Sequence, residues 1–461
     1  MGGIETDYLV VGAGAAGMAF ADALVAACDA DVVMVDRRHG PGGHWNDAYP
    51  FVRLHGPSAL YGVNSRRLGS GVIHQAGPNA GYYPRATAAE ICAYYERVLD
   101  EVLLSSGRVR FFGMSDCTAA GNGHQFTSRL TGETTTVRVR NRVVDARYLE
   151  PSIPAAHVPP FSVEPGARMI PVNDLVGLSG PASGFTILGG GKTAVDACLW
   201  LLDAGVPAEA IRWVRPRDAW LLDRAFQQPL ELLPRLMEGV SLYLEAAAQA
   251  EDVTDLFRRL EACGQLIRLD PDVEPTMFRC ATVSQEELVS LRRIENVIRL
   301  GRVTRIAPDQ IELADGSVTA DRGQVHVDCS AAGLRARPAR PVFSGGLITL
   351  QQIRSCQPVF SAALAGYVEA TREDDARKNQ ICPANQYPDA AVDWIPLTRT
   401  AQRAEIIWAT DPDISAWMQR SRLNATRGMG DHQEDPQMKA ALGRLFTNIE
   451  PAINKLETLM A

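Results

Sequence analysis

Two glycine-rich turns in the sequence have the composition and spacing of phosphate-binding loops. The first, at residues 12–17, reads GAGAAG and lies between an apolar run and a helical stretch. The next apolar run ends in Asp36, 19 positions beyond Gly17. Such glycines let a pyrophosphate approach backbone amides at a helix N-terminus, and the acid can accept hydrogen bonds from a ribose. Because strand, turn, helix and acid occur together, a dinucleotide site is favoured over an ordinary strand–turn–helix. Its predicted contacts are Gly12, Ala13, Gly14, Ala16, Gly17, Asp36 and Arg37.

The second turn, at residues 189–194, reads GGGKTA and repeats the strand–turn–helix pattern. The following apolar run ends in Arg215-Pro216-Arg217, where an NAD site usually shows an acid. A carboxylate there would repel the 2′-phosphate of NADPH, whereas arginine can bind it through two parallel hydrogen bonds. The spacing GxxxxGK[ST] is absent, which excludes a nucleotide-triphosphatase loop. This unit predicts NADPH, with the contacts Gly189, Gly191, Lys192, Thr193, Arg215 and Arg217. The alternative is that both arginines are solvated surface charges.

Composition excludes several classes of protein. The chain has 461 residues, of which 46% are hydrophobic and 22% charged, typical of a globular protein with two to four domains. A net charge of −8 argues against general nucleic-acid binding. No apolar run approaches the ~20 residues of a membrane helix, and the acidic N-terminus is unlike a secretory signal. We therefore expect a cytoplasmic protein that binds neither nucleic acid nor membrane.

The nine cysteines are dispersed, and no pair has CxxC spacing. This pattern predicts free, buried thiols and argues against a redox-active dithiol or a structural zinc site. The eight histidines also lack close metal-ligand spacing, so no metal site is expected.

A further segment, Pro41-Gly42-Gly43-His44-Trp45, indicates which dinucleotide the first turn binds. Here the chain resembles two-dinucleotide flavoproteins, particularly the flavin-containing monooxygenase superfamily, in which a Gly-Gly-x-Trp element lies beside FAD. The resemblance implies FAD at the first turn, with Gly43, His44 and Trp45 as further contacts. The superfamily fingerprint FxGxxxHxxx(Y/F) is not intact, since Gly166 is followed four residues later by Ile170.

The resemblance also implies which elements position these residues. It predicts an α/β fold with two Rossmann-like dinucleotide-binding domains, the NAD(P) domain being inserted in the FAD domain. We assign residues 1–155 to the FAD domain, 156–325 to the NAD(P) domain with a substrate-side insert at about 220–284, and 326–371 to the return of the FAD domain. Residues 372–461 form a helical C-terminal extension. Gly333 and Gln351 are the contacts expected from the return.

FAD and NADPH on one chain imply hydride transfer from nicotinamide to flavin. The leading hypothesis is a single-component monooxygenase that acts on a small organic molecule with molecular oxygen through a flavin C4a-hydroperoxide. In the resembled superfamily, the stretch at residues 53–58 runs past the reactive edge of the flavin, which makes Arg53, His55 and Ser58 the candidate catalytic residues. The alternatives are an NADPH-dependent reductase or dehydrogenase without oxygen insertion, and a non-catalytic nucleotide-binding protein. The sequence leaves homo-oligomerisation open.

Overall fold

The computed structural model describes residues 3–120 and 123–460, whose strands form four sheets. The strands are β1 (Ile4–Val11), β2 (Val32–Val35), β3 (Val109–Phe112), β4 (Ser115–Ala120), β5 (Gly123–Ser128), β6 (Thr134–Asp145), β7 (Ser162–Val163), β8 (Met169–Pro171), β9 (Gly184–Leu188), β10 (Ile211–Val214), β11 (Ala219–Asp223), β12 (Met277–Val283), β13 (Val297–Ile298), β14 (Val303–Ile306), β15 (Gln310–Leu313), β16 (Gly316–Thr319), β17 (Gln324–Asp328), β18 (Phe343–Ser344) and β19 (Leu347–Thr349). The α-helices are α1 (Ala15–Ala27), α2 (Ala88–Val98), α3 (Lys192–Asp203), α4 (Leu233–Gln249), α5 (Val253–Ala262), α6 (Gln285–Arg292), α7 (Pro358–Thr371), α8 (Asp375–Ile381), α9 (Trp394–Thr410), α10 (Pro412–Arg420) and α11 (Pro436–Thr458).

The first sheet carries the amino-terminal glycine turn between β1 and α1. Its order is β18-β19-β6-β1-β2-β3, and the neighbours from β19 to β3 are parallel. Alternate residues of β1 join different apolar clusters, because Val10 packs with α1 and α7 whereas Leu9 packs with Phe126 of β5. Both faces of the central strands are thus covered, which explains their continuous apolar runs. The carboxyl ends of these strands share one edge of the sheet, where the turn lies.

The second sheet has the order β13-β10-β9-β17-β8, and all its strands are parallel. The second glycine turn joins β9 to α3 at its carboxyl edge. A small sheet of β16, β15, β14 and β7 packs beside it through a cluster that includes Leu188, Val214 and Ile306. The chain therefore has two Rossmann-like units within an α/β architecture, and the predicted fold class is confirmed.

The boundary assigned between residues 325 and 326 falls within a strand of the second sheet. β17 pairs with β9 and β8 along its whole length, so the second sheet extends to Asp328 and the boundary between residues 325 and 326 divides one of its strands. The chain returns to the first sheet only after this strand, and the two connecting segments meet where Ser152 and Gly333 form an isolated antiparallel bridge. A buried parallel strand has the same apolar sequence pattern in either sheet. The sequence pattern alone therefore could not assign β17 to the second sheet.

The predicted insert and the C-terminal extension pack together. α4 of the insert lies along α11 of the extension, and Trp220, Phe278 and Leu456 belong to one shared apolar cluster. The extension is helical as predicted. Its Asp-Pro pairs begin helices, because Asp411 and Asp435 accept hydrogen bonds from backbone amides in the first turns of α10 and α11.

Candidate functional site

A large cavity of about 790 Å³ lies between the two sheets and is lined by both glycine turns. This volume falls in the upper part of the range usual for ligand sites. Most of the residues predicted from the sequence line it: Gly12, Gly14, Ala16, Asp36, Arg37, Gly43, His44, Trp45, Arg53, His55, Gly189, Gly191, Lys192, Thr193, Arg217, Gly333 and Gln351. Four predicted residues, Ala13, Gly17, Ser58 and Arg215, are not among the lining residues.

The two glycine turns have the same backbone connection to their sheets. The Gly12 amide donates to the Val35 carbonyl oxygen at 2.8 Å, and the Gly189 amide donates to the Val214 carbonyl oxygen at 2.9 Å. In the first turn a Cβ on Gly17 would clash with the Gly12 carbonyl oxygen, so Gly17 allows the close approach of α1 to β1. The internal repeat inferred from sequence is thus a structural repeat, with each turn at the mouth of the shared cavity.

Asp36 organises the first turn. Its buried carboxylate accepts hydrogen bonds from the Ala13 amide at 2.7 Å and the Arg38 amide at 2.8 Å. The Ala13 amide is therefore committed to Asp36, and Ala13 and Gly17 shape the turn instead of lining the cavity. Asp36 itself lines the cavity and retains acceptor capacity, since an ionised carboxylate has about four lone-pair sites. A ribose diol is the kind of donor that fits this position.

The Gly-Gly-x-Trp segment closes over the first turn. The Gly42 amide donates to the Ala13 carbonyl oxygen at 3.0 Å, and a Cβ on Gly43 would come within 2.9 Å of the Gly14 Cα. Trp45 follows in a short 3-10 turn and donates from its indole nitrogen to the Tyr61 hydroxyl at 2.7 Å. The glycines thus allow two loops to meet backbone to backbone at the cavity wall, a packing that larger residues would prevent.

The second turn carries a partly buried ion pair. Lys192, the first residue of α3, pairs with Asp196 one helical turn later, and Asp196 also accepts a hydrogen bond of 2.7 Å from the Tyr49 hydroxyl. Burial lowers the pKa of Lys192, and the neighbouring carboxylate opposes the shift. Asp196 was missed from the sequence, although its spacing of four residues from a lysine on a helix is a recognisable signal.

The two arginines predicted to bind a 2′-phosphate are already paired. Arg215 is buried, forms a 3.1 Å ion pair with Asp218 and stacks over Trp213, so its guanidinium is engaged within the protein and its contact with the cofactor stays a prediction. Arg217 lines the cavity but makes a bidentate contact with Asp389 at 2.9 and 3.1 Å. The sequence did not predict that Asp218 and Asp389 pair with these arginines, and Asp389 belongs to the distant C-terminal extension.

Arg302 is a cavity residue that sequence analysis missed. It lies four residues beyond β13, whose parallel neighbour β10 leads into Arg217, so both arginines leave the same edge of the sheet. Its side chain is exposed and has no ion-pair or hydrogen-bond partner within the described residues. No motif marks it, because its position depends on the neighbouring strand and not on its own sequence context.

The stretch at residues 53–58 runs along the cavity, but only part of it faces inward. Arg53 and His55 line the cavity. Ser58 does not: it is buried, and its hydroxyl oxygen accepts a hydrogen bond of 2.7 Å from the Ala86 amide. The Ser58 hydroxyl thus holds the loop, and its contact with the reacting atoms stays a prediction.

Burial keeps the imidazoles at this site neutral. Burial and then the positive charge of Lys192 lower the pKa of His55 to about 3, against the opposing charge of Asp196 and a hydrogen bond with the Cys280 backbone. Burial also lowers the pKa of His44 to about 4. Each ring therefore offers one donor and one acceptor at neutral pH.

A buried cluster of charged side chains lies beside the loop at residues 53–58, which carries His55. Glu287 pairs with Arg85 at 2.8 Å and with Arg224 at 2.7 Å. Burial raises the pKa of Glu287, but the two guanidinium groups outweigh it and hold the value at about 2. Glu287 also completes a capping box with Ser284 at the start of α6. This cluster joins the loop to the insert and had no signal in the sequence beyond the capping box.

The returning segment contributes Gly333 and Gln351 to the cavity wall. The Gln351 amide group donates to the Arg340 carbonyl oxygen at 2.8 Å and accepts from the Arg340 amide at 3.1 Å. Its side chain therefore fixes the returning loop, and Gly333 pairs with Ser152 of the outgoing connection.

Two cysteines depart from the expectation of free thiols throughout. Cys280 and Cys356, 76 residues apart, are joined in a disulfide with a Cα–Cα separation of 5.9 Å. The other seven, all within the described residues, are free. Distant cysteines without a spacing motif give no sign of pairing in a single sequence.

Within the described residues, no cluster of three or more histidine, cysteine or acidic side chains is arranged to hold a metal ion. Every helix in the same part of the chain is too short or too polar to cross a membrane.

Comparison with known proteins agrees with this geometry. The model of the NAD(P)-binding Rossmann-like domain family matches residues 10–72, which contain the first glycine turn, Asp36 and the Gly-Gly-x-Trp segment. Cyclohexanone monooxygenase bound to epsilon-caprolactone has a similar fold, with a TM-score of 0.51 and 15% identity over 89% of this chain and 98% of that one. Polycyclic ketone monooxygenase from Thermothelomyces thermophila matches with a TM-score of 0.51 and 13% identity over 97% of this chain and 90% of the other. The resemblance seen in the sequence is thus confirmed at the level of fold.

Nearer relatives occur in mycobacteria. The uncharacterized protein Rv2000 of Mycobacterium tuberculosis strain H37Rv is 47% identical over 422 residues, which cover 91% of this chain and 78% of the relative. The uncharacterized protein Mb2023 of Mycobacterium bovis matches to the same extent. The chain therefore belongs to the same family as these mycobacterial proteins, a family with the two-dinucleotide-domain fold of flavin-dependent monooxygenases.

Proposed function

We propose that this protein is an FAD-dependent, NADPH-using monooxygenase that acts on a small organic molecule. The observation that carries the proposal is the single cavity, whose wall includes both glycine turns and the His55 loop. Two nucleotides that enter from opposite turns would meet in one enclosed space, which hydride transfer requires. The names of the two solved proteins with this fold, both ketone monooxygenases, support oxygen insertion as the subsequent step.

The first turn would hold FAD. Gly14 and Ala16 lie at the N-terminus of α1, where backbone amides and the helix dipole suit a pyrophosphate. Asp36 would take the ribose, and Trp45 would line the path towards the returning segment. The geometry fits this group because the turn is open to the cavity and bordered by a loop with glycine at the point of closest approach.

The second turn would hold NADPH, with Arg302 and Arg217 at its adenosine end. Arg302 supports the 2′-phosphate proposal more directly, because its guanidinium has no protein partner within the described residues. Arg217 would have to share its charge with Asp389. Arg215 would act only as a buried support of the strand end.

When bound, NADPH would supply a hydride and FAD would accept it and react with molecular oxygen. The part played by the chain is to exclude water and to place polar groups at the reacting edge. His55, neutral and largely enclosed, can donate one hydrogen bond and accept another there. Arg53 would add a positive charge at the same wall.

Steady-state turnover with and without oxygen tests the proposal. Holoenzyme supplied with NADPH and candidate ketones, sulfides or amines should consume NADPH only when oxygen is present, with product formed in proportion. Turnover that proceeds equally well without oxygen and reduces an organic acceptor would contradict oxygen insertion and support the reductase alternative. A purified protein that binds nucleotide but consumes no NADPH with or without oxygen would support the non-catalytic alternative.

A further inference from the structure

The disulfide between Cys280 and Cys356 lies on the wall of the cofactor cavity. Cys280 belongs to β12 in the insert, and Cys356 precedes the first residue of α7 by two positions. Both cysteines line the same cavity as the two glycine turns and His55. The bond therefore connects the substrate-side insert to the returning segment at the place where flavin and nicotinamide would meet.

The backbone is unusual at both ends of this bond. Cys280 has φ +57° and Cys356 has φ +59°, values in the left-handed region that residues with a side chain rarely adopt. Only two other non-glycine residues in the described part of the chain, Met114 and Leu230, have positive φ. Backbone in sparsely populated regions clusters at active sites and switches, where the surrounding structure maintains it.

Cys280 also lies at an irregularity of its strand. The register between β11 and β12 shifts between Trp220 and Leu222, so the residues of β12 around Cys280 are not paired with β11. Such bulges re-aim a side chain and are frequent next to active sites. The irregularity thus places Cys280, which is itself buried, at the cavity wall.

Each cysteine is held in place independently of the disulfide. β12 is anchored on both sides of the bulge by its pairing with β11, and the Cys356 amide donates to the Gln352 side-chain oxygen at 2.8 Å. The Tyr387 hydroxyl donates to the Arg279 carbonyl oxygen at 2.9 Å, next to Cys280. The two sulfurs would therefore remain neighbours after the bond breaks, which a reversible thiol pair requires.

The other cysteines indicate that this chain does not depend on disulfides for stability. Seven are free, and burial raises the pKa of the Cys198, Cys329 and Cys382 thiols, which makes them unreactive. A protein of this length buries a large core and needs no staple, unlike small disulfide-rich domains. A single disulfide placed at a cofactor cavity is therefore better explained by chemistry than by stability.

We propose that Cys280–Cys356 is a redox-active disulfide that accepts an electron pair from NADPH by way of the bound flavin. The proposal rests on the proposed function for its electron source and adds a second acceptor beside oxygen. In the overall step, NADPH and one proton convert the disulfide into two thiols and NADP⁺. The S–S bond breaks, both sulfurs are reduced, and the flavin returns to the oxidised state.

An anaerobic titration of the FAD-containing holoenzyme with NADPH tests this step. Complete bleaching of the flavin in the wild type should need about two equivalents of NADPH per flavin, because both disulfide and flavin are two-electron acceptors. In Cys280→Ser and Cys356→Ser it should need about one equivalent. Cys28→Ser, which removes a free thiol that does not line the cavity, should behave as the wild type.

A thiol count on the wild type keeps the test independent of how the variants fold. After anaerobic reduction by NADPH and denaturation, titratable thiols should rise from the seven free cysteines to all nine. Bleaching at one equivalent without new thiols would overturn the disulfide proposal and leave the proposed function standing. A protein without FAD, or with FAD that NADPH does not bleach, would overturn both.

Discussion

At the scale of single residues, the site is built from side chains whose protonation is fixed by burial. His55 lies at the cavity wall as a neutral imidazole, because burial and the charge of Lys192 both disfavour its cation. A neutral ring can hydrogen-bond an oxygen species without adding a charge that water would be drawn to solvate. Sequence analysis found His55 by resemblance, but it could not distinguish this inward-facing residue from Ser58, whose hydroxyl is used by the loop backbone.

Replacing His55 should separate flavin reduction from oxygenation. In His55→Leu we expect reduction by NADPH at a near-normal rate but release of hydrogen peroxide in place of product, because a hydrogen-bond partner is removed from a water-excluded site. The measurement compares NADPH consumed, peroxide released and product formed. His74→Leu, at an exposed histidine, serves as the control. Unchanged coupling in His55→Leu would remove this residue from the mechanism.

Buried histidines should also make the folded state sensitive to acid. Burial lowers the pKa of His326 in β17 from 6.5 to about 4, so below pH 6.5 the unfolded chain binds a proton that the folded chain does not. Stability is thus complete above the unfolded pKa and falls as the pH drops towards the folded pKa. The expected loss from this residue is on the order of 1–2 kcal/mol between pH 6.5 and about 5. Chemical denaturation across this interval should show a shallower decline in the free energy of unfolding for His326→Gln than for the wild type. The control variant His74→Gln should match the wild type. Equal slopes in all three proteins would contradict the account.

At the scale of elements, glycine spacing predicted both turns because a tight strand–turn–helix leaves few alternatives in sequence. The residues around Gly12 and Gly189 occupy equivalent positions in the two sheets. Contacts between residues far apart in the sequence were not predictable. Arg302 lines the cavity because β13 lies beside β10, and Asp389 of the C-terminal extension forms an ion pair with Arg217. Local pattern cannot report either contact, since each depends on sheet order or on tertiary packing.

The unpaired arginine beyond β13 should set the preference for NADPH. Losing a charge-assisted hydrogen bond costs about 1.5–3 kcal/mol, so Arg302→Ala should raise the KM for NADPH roughly tenfold or more. The KM for NADH should hardly change, because NADH lacks the 2′-phosphate. Steady-state kinetics with both nucleotides makes the comparison, with Arg293→Ala, an exposed arginine after α6, as the control. Equal losses for NADPH and NADH would assign Arg302 a structural role.

At the scale of the whole molecule, the C-terminal extension shares a hydrophobic core with the insert. α11 packs along α4, and the shared cluster of Trp220, Phe278 and Leu456 continues beneath β12, which carries part of the cavity wall. The sequence predicted helices here but not their partner, because an amphipathic pattern shows that a face is buried without showing what covers it. The extension therefore packs against the insert that forms part of the cavity wall.

Removing a buried side chain from this shared cluster should weaken the whole fold. Leu456 is fully buried, so Leu456→Ala should lower the free energy of unfolding by about 2–5 kcal/mol through lost burial and a residual cavity. Phe446 on the same helix is 74% exposed, and Phe446→Ala should change stability by less than about 0.5 kcal/mol. Thermal and denaturant unfolding measure both. Equal, small effects would mean that the extension does not share a core with the insert.

The central claim is that reduced flavin in this cavity is protected long enough to transfer oxygen. Stopped-flow mixing of the NADPH-reduced holoenzyme with oxygenated buffer, with and without added NADP⁺, tests it most directly. The account predicts a long-lived absorbance of the flavin hydroperoxide, distinct from reduced and oxidised flavin, that persists longer with NADP⁺ bound because the nucleotide closes the second entrance of the cavity. Direct return to oxidised flavin, at the same rate under both conditions and with immediate release of hydrogen peroxide, would contradict it.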